Sequence, residues 1–265
     1  MPVSELAPSR AEDAARLAAA VQEAGAVALK FYKGPLKKWT KGEGDSPVTE
    51  ADIAANELLH AHLLRPGEGW LSEESENDPA RLRARRVWVV DPIDGTRAFI
   101  AGREDWSISA ALVEDGRPTV AAVFAPVTEE MFVATVGNGA TRNDVAMTAT
   151  SGSELAGAKL GGPKRIVDWL TQRHPNLVAM PRIYSLALRI VRVATGELDA
   201  AIAGGSGHDW DLAAADLLVH EAGGAITGLD GKPLIYNKPE PVHSMLVAAG
   251  KNRHSLLVDC VKQAT

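Results

Sequence analysis

Val87-Trp88-Val89-Val90-Asp91-Pro92-Ile93-Asp94-Gly95-Thr96 is the stretch on which the reading of the whole chain turns. Its first four residues are β-branched or aromatic and bounded by charge, which predicts a buried strand. Two carboxylates follow just past the strand end, then a glycine and a hydroxyl. Hard carboxylate oxygens suit a divalent cation, and free backbone N–H groups suit a phosphate. Carboxylates at a buried strand end are costly unless a cation or hydrogen bonds take up their charge. Read alone, Asp-Pro and Asp-Gly also make an ordinary turn.

Three other acidic segments bear on that choice. Trp70-Leu71-Ser72 is a second short apolar run that leads into acid, at Glu73-Glu74. Thr49 and Asp52 have capping-box spacing, so the simplest role for Asp52 is to cap a helix. A Thr hydroxyl held by an Asp is also a means of orienting and deprotonating a water. Asp211 lies in Asp209-Trp210-Asp211 at the start of a helical pattern, where negative charge is favoured in any case. The histidines do not compete as ligands: His60 and His62 fall on different helix faces, and His174, His220, His243 and His254 are scattered. His208 alone adjoins one of these acidic segments. An all-oxygen donor set points to Mg²⁺ or Mn²⁺ rather than zinc.

At 265 residues the chain can bury a large core, and its 46% hydrophobic and 23% charged content is that of a globular protein. A net charge of −6 argues against nonspecific binding to nucleic acid or anionic membranes. An anionic substrate would then need a metal or clustered Arg and Lys. The single cysteine, Cys260, rules out an internal disulfide and a Cys-based zinc site, and its apolar neighbours make it a packed helix residue. No apolar run approaches a membrane span, and no basic n-region leads into an apolar stretch, so the default expectation is cytoplasmic.

Ser9 and Glu12 form a capping signature for a helix reaching about Tyr32. Residues 33–48 are rich in Gly, Lys and Pro, with 42–45 expected as a loop. Thr49 begins a second helix with Ile53, Leu58, Leu59 and Leu63 on one face. Ser107–Val113, Thr119–Phe124 and Met131–Val136 read as antiparallel strands joined by turns. The pattern breaks at 137–144, which predicts a division into lobes 1–143 and 144–265. Beyond it, Leu186–Thr195 and Asp211–Ala222 read as helices, the latter closed by Gly223-Gly224. Leu198–Ala203 and Ser244–Ala249 read as strands, and Ser255–Lys262 as a last helix.

Taken together, Asp91-Pro92-Ile93-Asp94-Gly95-Thr96, Trp210-Asp211, Ser72-Glu73-Glu74-Ser75 and Thr49-Glu50-Ala51-Asp52 resemble the motifs of the inositol monophosphatase-like phosphatases, in that family's order. Lys41 stands at the family's distance before Asp52. The resemblance implies a layered αβαβα sandwich (α+β / α/β), with an antiparallel N-terminal lobe carrying most metal ligands and a C-terminal lobe supplying Asp211. It implies that Glu73, Asp91 and the Ile93 carbonyl hold one Mg²⁺, that Asp91, Asp94 and Asp211 hold a second, and that a weaker third lies near Glu73; Mn²⁺ could substitute. It makes Asp52 and Thr96 the activators of the attacking water, with Glu73 beside them, and Gly95 and Thr96 N–H groups the phosphate cradle. It also implies a homodimer acting on a small phosphorylated metabolite.

The chain departs from the inositol-specific pattern at two places. Tyr184 stands where those enzymes carry a glycine, ahead of Ser185-Leu186-Ala187. Gly204 stands where they carry a glutamate before the Trp-Asp pair. The 3'(2'),5'-bisphosphate nucleotidase branch fits better: its helix lysine for a second phosphate aligns with Arg189, and arginine can grip phosphate bidentately. Lys164 and Arg165 are further anion candidates, with Lys41 and Ser185 near the pocket. The expected substrate is adenosine 3',5'-bisphosphate; inositol 1-phosphate or another sugar phosphate is the alternative, and a non-catalytic metabolite binder a more distant one.

Overall fold

The computed structural model describes residues 9–41 and 46–264. Helix α1 (Arg10–Leu29) begins at Ser9 with the expected capping box and ends before Tyr32. A separate hairpin, β1 (Lys38–Lys41) and β2 (Ser46–Thr49), leads into α2 (Glu50–Leu63), capped by Thr49. The loop expected over 42–45 lies outside the described residues. On α2 the buried stripe is Ala51, Ala55, Leu59 and Leu63, while Ile53 and Leu58 are only partly covered. In the first half of α2 small alanines form the buried face in place of Ile53, which lets the helix approach its neighbours closely, while Leu59 and Leu63 mark it in the second half as expected.

The first sheet has seven strands in chain order: β3 (Gly69–Ser72), β4 (Arg86–Asp94), β5 (Ser107–Glu114), β6 (Arg117–Ala125), β7 (Glu130–Thr135), β8 (Ala140–Arg142) and β9 (Val145–Ala146). Only β3 and β4 run parallel. Asp115 and Gly116 both take positive φ, the backbone of a primed turn that matches strand twist. The break at 137–144 is a glycine turn inside this sheet, which continues to Ala146, past the expected 143/144 division. Between β4 and β5 lies the short helix α3 (Thr96–Ile100).

The second sheet gathers β10 (Lys159–Gly161), β11 (Val178–Ala179), β12 (Ala200–Ala203), β14 (Gly224–Gly228) and β16 (Leu246–Gly250) in the order β11-β10-β12-β16-β14. The helices between and after them are α4 (Lys164–Arg173), α5 (Leu186–Ala194), α6 (Asp209–Glu221) and α7 (Lys251–Lys262). Strands β13 (Gly207–His208) and β15 (Val242–His243) pair apart from both sheets. Helix α6 starts at Asp209 and ends as expected, with Gly223 at φ +83°.

Alternate residues of each strand face different layers. Trp88, Val90, Ile108, Ala110 and Leu112 pack under α1 and α2, while Val87, Val89, Ala111 and Val113 pack on α5 and α6. The second sheet repeats this: Ala201, Ala203, Leu246 and Ala248 meet α5 and α6, and Ala200, Ile202, Val247 and Ala249 meet α4 and α7. The order is therefore α-β-α-β-α, as the sequence implies. Both faces of each sheet are covered, so the strands read as apolar runs instead of alternations. Cys260 is buried on α7. Among the described residues no helix is long and apolar enough to cross a membrane.

Candidate active site

Strand β4 does not stop before the acidic motif; it runs through it to Asp94. Asp91 pairs with Ser109 and Asp94 with Ser107, so three steps on β4 oppose two on β5. Side chains three apart on a regular strand point to opposite faces. The one-residue bulge at Pro92-Ile93 restores both aspartates to one side, and proline belongs at such a point because it has no N–H for the ladder. The Ile93 amide donates to Asp91 Oδ1 at 3.0 Å, which holds the bulge. Gly95 then takes φ +93° with its α-carbon against the Ser185 amide and the Asp105 carbonyl, leaving no room for a side chain.

This turn brings carboxylate oxygens of Asp91, Asp94 and Asp211 within 4.8 Å of one another. They line a cavity of about 190 Å³ with Glu73, the Ile93 and Gly95 backbone and Thr96. Glu73 shares the cavity but lies outside that tight trio. The four acids are held in little water, and each raises its neighbours' proton affinity. Burial first, then Asp211 and Glu74, push Glu73 up to about 8; burial and Asp94 push Asp211 to about 7. Asp91 is raised well above the usual carboxylate range by burial and by Glu73, Asp94 and Asp211. Hard oxygens crowded with uncompensated charge fit a divalent cation such as Mg²⁺, which would remove the repulsion.

Neighbouring elements fix each acid. The Asp94 carboxylate accepts from the Ser185 hydroxyl (2.5 Å) and from the Leu186 and Ala187 amides (3.1 and 2.6 Å), so a β4 residue caps α5. These bonds oppose the burial that raises its pKa. Ser185 itself is fully buried, with its hydroxyl also accepting from the Leu188 amide; it sits beneath the site holding Asp94, and does not reach the cavity as a substrate contact. Asp211 accepts from the His208 amide at 2.7 Å at the start of α6. His208 lies flat on Trp210 at 4.5 Å and serves as the helix cap.

Asp52 plays the capping role and more. One oxygen accepts from the Thr49 amide (2.9 Å) and hydroxyl (2.5 Å), and the other lies 3.3 Å from Thr96 Oγ1. Thr96 Oγ1 also lies 3.0 Å from the Ile93 carbonyl. Burial raises Asp52 to about 6. Lys41 reaches in from β1, donating to the Glu73 carbonyl (2.6 Å) and pairing with Glu74 (2.5 Å).

A larger basic cavity of about 560 Å³ adjoins this one, with Lys164, Arg182 and Arg189 in its wall. Lys164 is exposed and paired with Asp168 at 2.5 Å. Arg189 is largely buried, its Nε has no hydrogen-bond partner, and Asp94 opposes the lowering of its pKa by burial. Arg182 lines both cavities, with its guanidinium 4.5 Å from the centre of the Tyr184 ring; Arg103 stands 4.8 Å from the same ring. Sequence reasoning marked Tyr184 and missed Arg182, whose only signal was its place two residues earlier. At Gly204 an added β-carbon would meet only Pro163, at 3.7 Å, so this position itself offers no carboxylate although the space would admit a side chain.

A sequence profile of the inositol monophosphatase family matches residues 10–264. A 3'-phosphoadenosine 5'-phosphate phosphatase from Mycobacterium bovis is 36% identical over 219 residues, 77% of this chain and 75% of that protein. A histidinol-phosphatase from Mycobacterium tuberculosis is 38% identical over 200 residues, 70% and 75% of the two chains. The crystal structure of the extragenic suppressor protein suhB from Bartonella henselae superposes with a TM-score of 0.83 at 26% identity, covering 95% of this chain and 98% of that one. With its sandwich, its acidic trio and matches along nearly its whole length, the chain belongs to the Mg-dependent inositol monophosphatase family and is a phosphoric monoester hydrolase.

Proposed function

We propose that the enzyme removes the 3'-phosphate of adenosine 3',5'-bisphosphate, giving AMP and inorganic phosphate. The observation that carries this reading is the basic cavity that meets the acidic one at Arg182. A substrate with one phosphate at the acids and a second at Arg182 and Arg189 uses both. Arginine suits the second role because its planar fork can hold a phosphate by two bonds. The matched mycobacterial 3'-phosphoadenosine 5'-phosphate phosphatase supports the same substrate. Tyr184 and Gly204 weigh against an inositol ring, since the first fills space and the second offers no acceptor. Histidinol phosphate, suggested by the other relative, carries an ammonium that the guanidiniums would repel.

In this reading Glu73, Asp91, the Ile93 carbonyl, Asp94 and Asp211 would hold Mg²⁺, which when bound would neutralise charge on the phosphate and make the attacking water more acidic. Thr96 accepts a proton from the attacking water as its own hydroxyl donates to Asp52. The Gly95 and Thr96 amides face the phosphate oxygens, and the close approach depends on the bare α-carbon of Gly95. Attack is in line and leaves no phosphoenzyme.

The test compares kcat/KM with Mg²⁺ for adenosine 3',5'-bisphosphate, inositol 1-phosphate and histidinol phosphate. The bisphosphate should be the best substrate; a clear preference for either of the others overturns the proposal. Arg189→Ala and Arg182→Ala should each weaken the bisphosphate far more than a simple monophosphate. Equal losses on both would assign these arginines to structure.

A further inference from the structure

Trp39 lies outside the two cavities described above. It stands on β1 with 46% of its surface exposed, an uncommon state for so large an aromatic side chain. It lines a groove of about 480 Å³ between the hairpin and α3, together with Lys38, Pro47 and Arg97. Pro47 and Arg97 also line the acidic cavity, so the groove opens onto the metal site at those two residues. The basic cavity opens onto the same site at a different residue, Arg182. The centre therefore has two separate side compartments, one rich in guanidinium and one floored by an indole.

The hairpin is tied to the chemistry at both strands. Lys41, two residues beyond Trp39 and so on the same face of β1, is bonded to Glu73 and Glu74. Thr49 ends β2 and holds Asp52. Trp39 is thus fixed relative to the reacting phosphate through two independent bonds. A nucleoside bisphosphate presents three groups from different carbons of its ribose: the scissile phosphate, a second phosphate and a planar base. We propose that Trp39 is the stacking platform for that purine base, lying in the groove while the second phosphate occupies the Arg182–Arg189 cavity. This rests on the bisphosphate reading above. Base–aromatic stacking is sequence-tolerant and its loss costs roughly tenfold or more in binding.

Trp39→Ala and Trp39→Phe should be compared with the parent enzyme in Mg²⁺, using adenosine 3',5'-bisphosphate and the baseless ester 2-glycerophosphate. The platform predicts that Trp39→Ala lowers the ratio of kcat/KM for nucleotide over 2-glycerophosphate by roughly tenfold or more, through KM, and that Trp39→Phe restores most of it. Equal losses on both esters, or no loss on the nucleotide, overturn the platform even if the bisphosphate remains the best substrate. A parent enzyme that prefers the baseless ester instead refutes the bisphosphate reading. AMP binding gives a readout free of turnover: a saturable quench of tryptophan fluorescence should be lost in Trp39→Phe. A quench that persists there, or is absent in the parent, counts against the platform.

Discussion

Asp52 shows how one side chain serves both architecture and chemistry. Its bonds to Thr49 cap α2, and its free oxygen faces Thr96. Only the ionised carboxylate can take up the proton of the Thr96 hydroxyl, and burial raises the Asp52 pKa to about 6. Activity should therefore rise with pH through about 6 and fall below it. Asp52→Asn keeps an acceptor for the cap but no charge, and should lower kcat by roughly 10²- to 10⁴-fold and abolish that limb. A pH–rate profile with the same limb in the variant would assign it to another acid. The Thr49–Asp52 pair, like Asp91, Asp94 and Thr96, was legible in the sequence because its members are close in the chain. Arg182 and Trp39 were not: what makes them notable is which cavities they line, and only the folded layers decide that.

Strand β4 carries the same contrast. Its apolar run was readable, but the bulge was not, because a register shift exists only relative to β5. Asp-Pro-Ile-Asp looked like a turn after a strand; it is a strand bent so that two acids share a side. Gly95 closes the bend at a positive φ with backbone atoms 3.1 and 3.2 Å from where a β-carbon would stand. Gly67 has a similar φ of +85° with nothing near it. Gly67→Ala should cost only the left-handed conformation, about 1–2 kcal/mol. Gly95→Ala must also push α5 or the Asp105 segment away, so its loss in urea denaturation should be clearly larger. Equal losses would mean that the contact is not tight in solution. Helix α1 was legible from its cap, whereas α7 starts at Lys251, ahead of the expected Ser255, with no side-chain cap to mark it, and α4 and the two-residue strands β11 and β15 carry too little pattern to declare themselves.

The end of β3, strand β4 and the start of α6 meet at a pocket of like charge, and this sets how the whole protein should respond to pH and metal. Glu73 and Asp211 have proton affinities raised to about 8 and about 7 by burial and mutual repulsion, above their usual values of 4.5 and 3.8. In the metal-free protein the stability they contribute is complete below about pH 4. It is lost as pH rises through 7 and 8, where the folded state must give up protons it holds more tightly than the unfolded chain does. A cation bound by the ionised acids offsets that loss and competes with the protons. Mg²⁺ should therefore raise Tm more at pH 8 than at pH 5.5, with EDTA reversing the gain; about 2.7 kcal/mol is available at a hundredfold excess over Kd. The same rise at both pH values would place Mg²⁺ away from these acids. The α-β-α-β-α order itself was implied by the motif resemblance, while the packing of both sheets on α5 and α6 emerged only with the fold.

The hairpin β1–β2 forms a sheet of its own, and residues 181–184 are a connection that joins neither large sheet. Trp39, Arg182 and Tyr184 all stand on these two segments. On the reading proposed above, the side chains that meet the leaving alcohol stand largely outside the two sheets, like jaws on a fixed frame, while Lys41 and Thr49 bolt the hairpin to the acids that cut the ester. Transplanting the proposed selectivity onto a related sandwich should therefore require both segments together with Arg189 of α5, which lines the basic cavity from the helix layer.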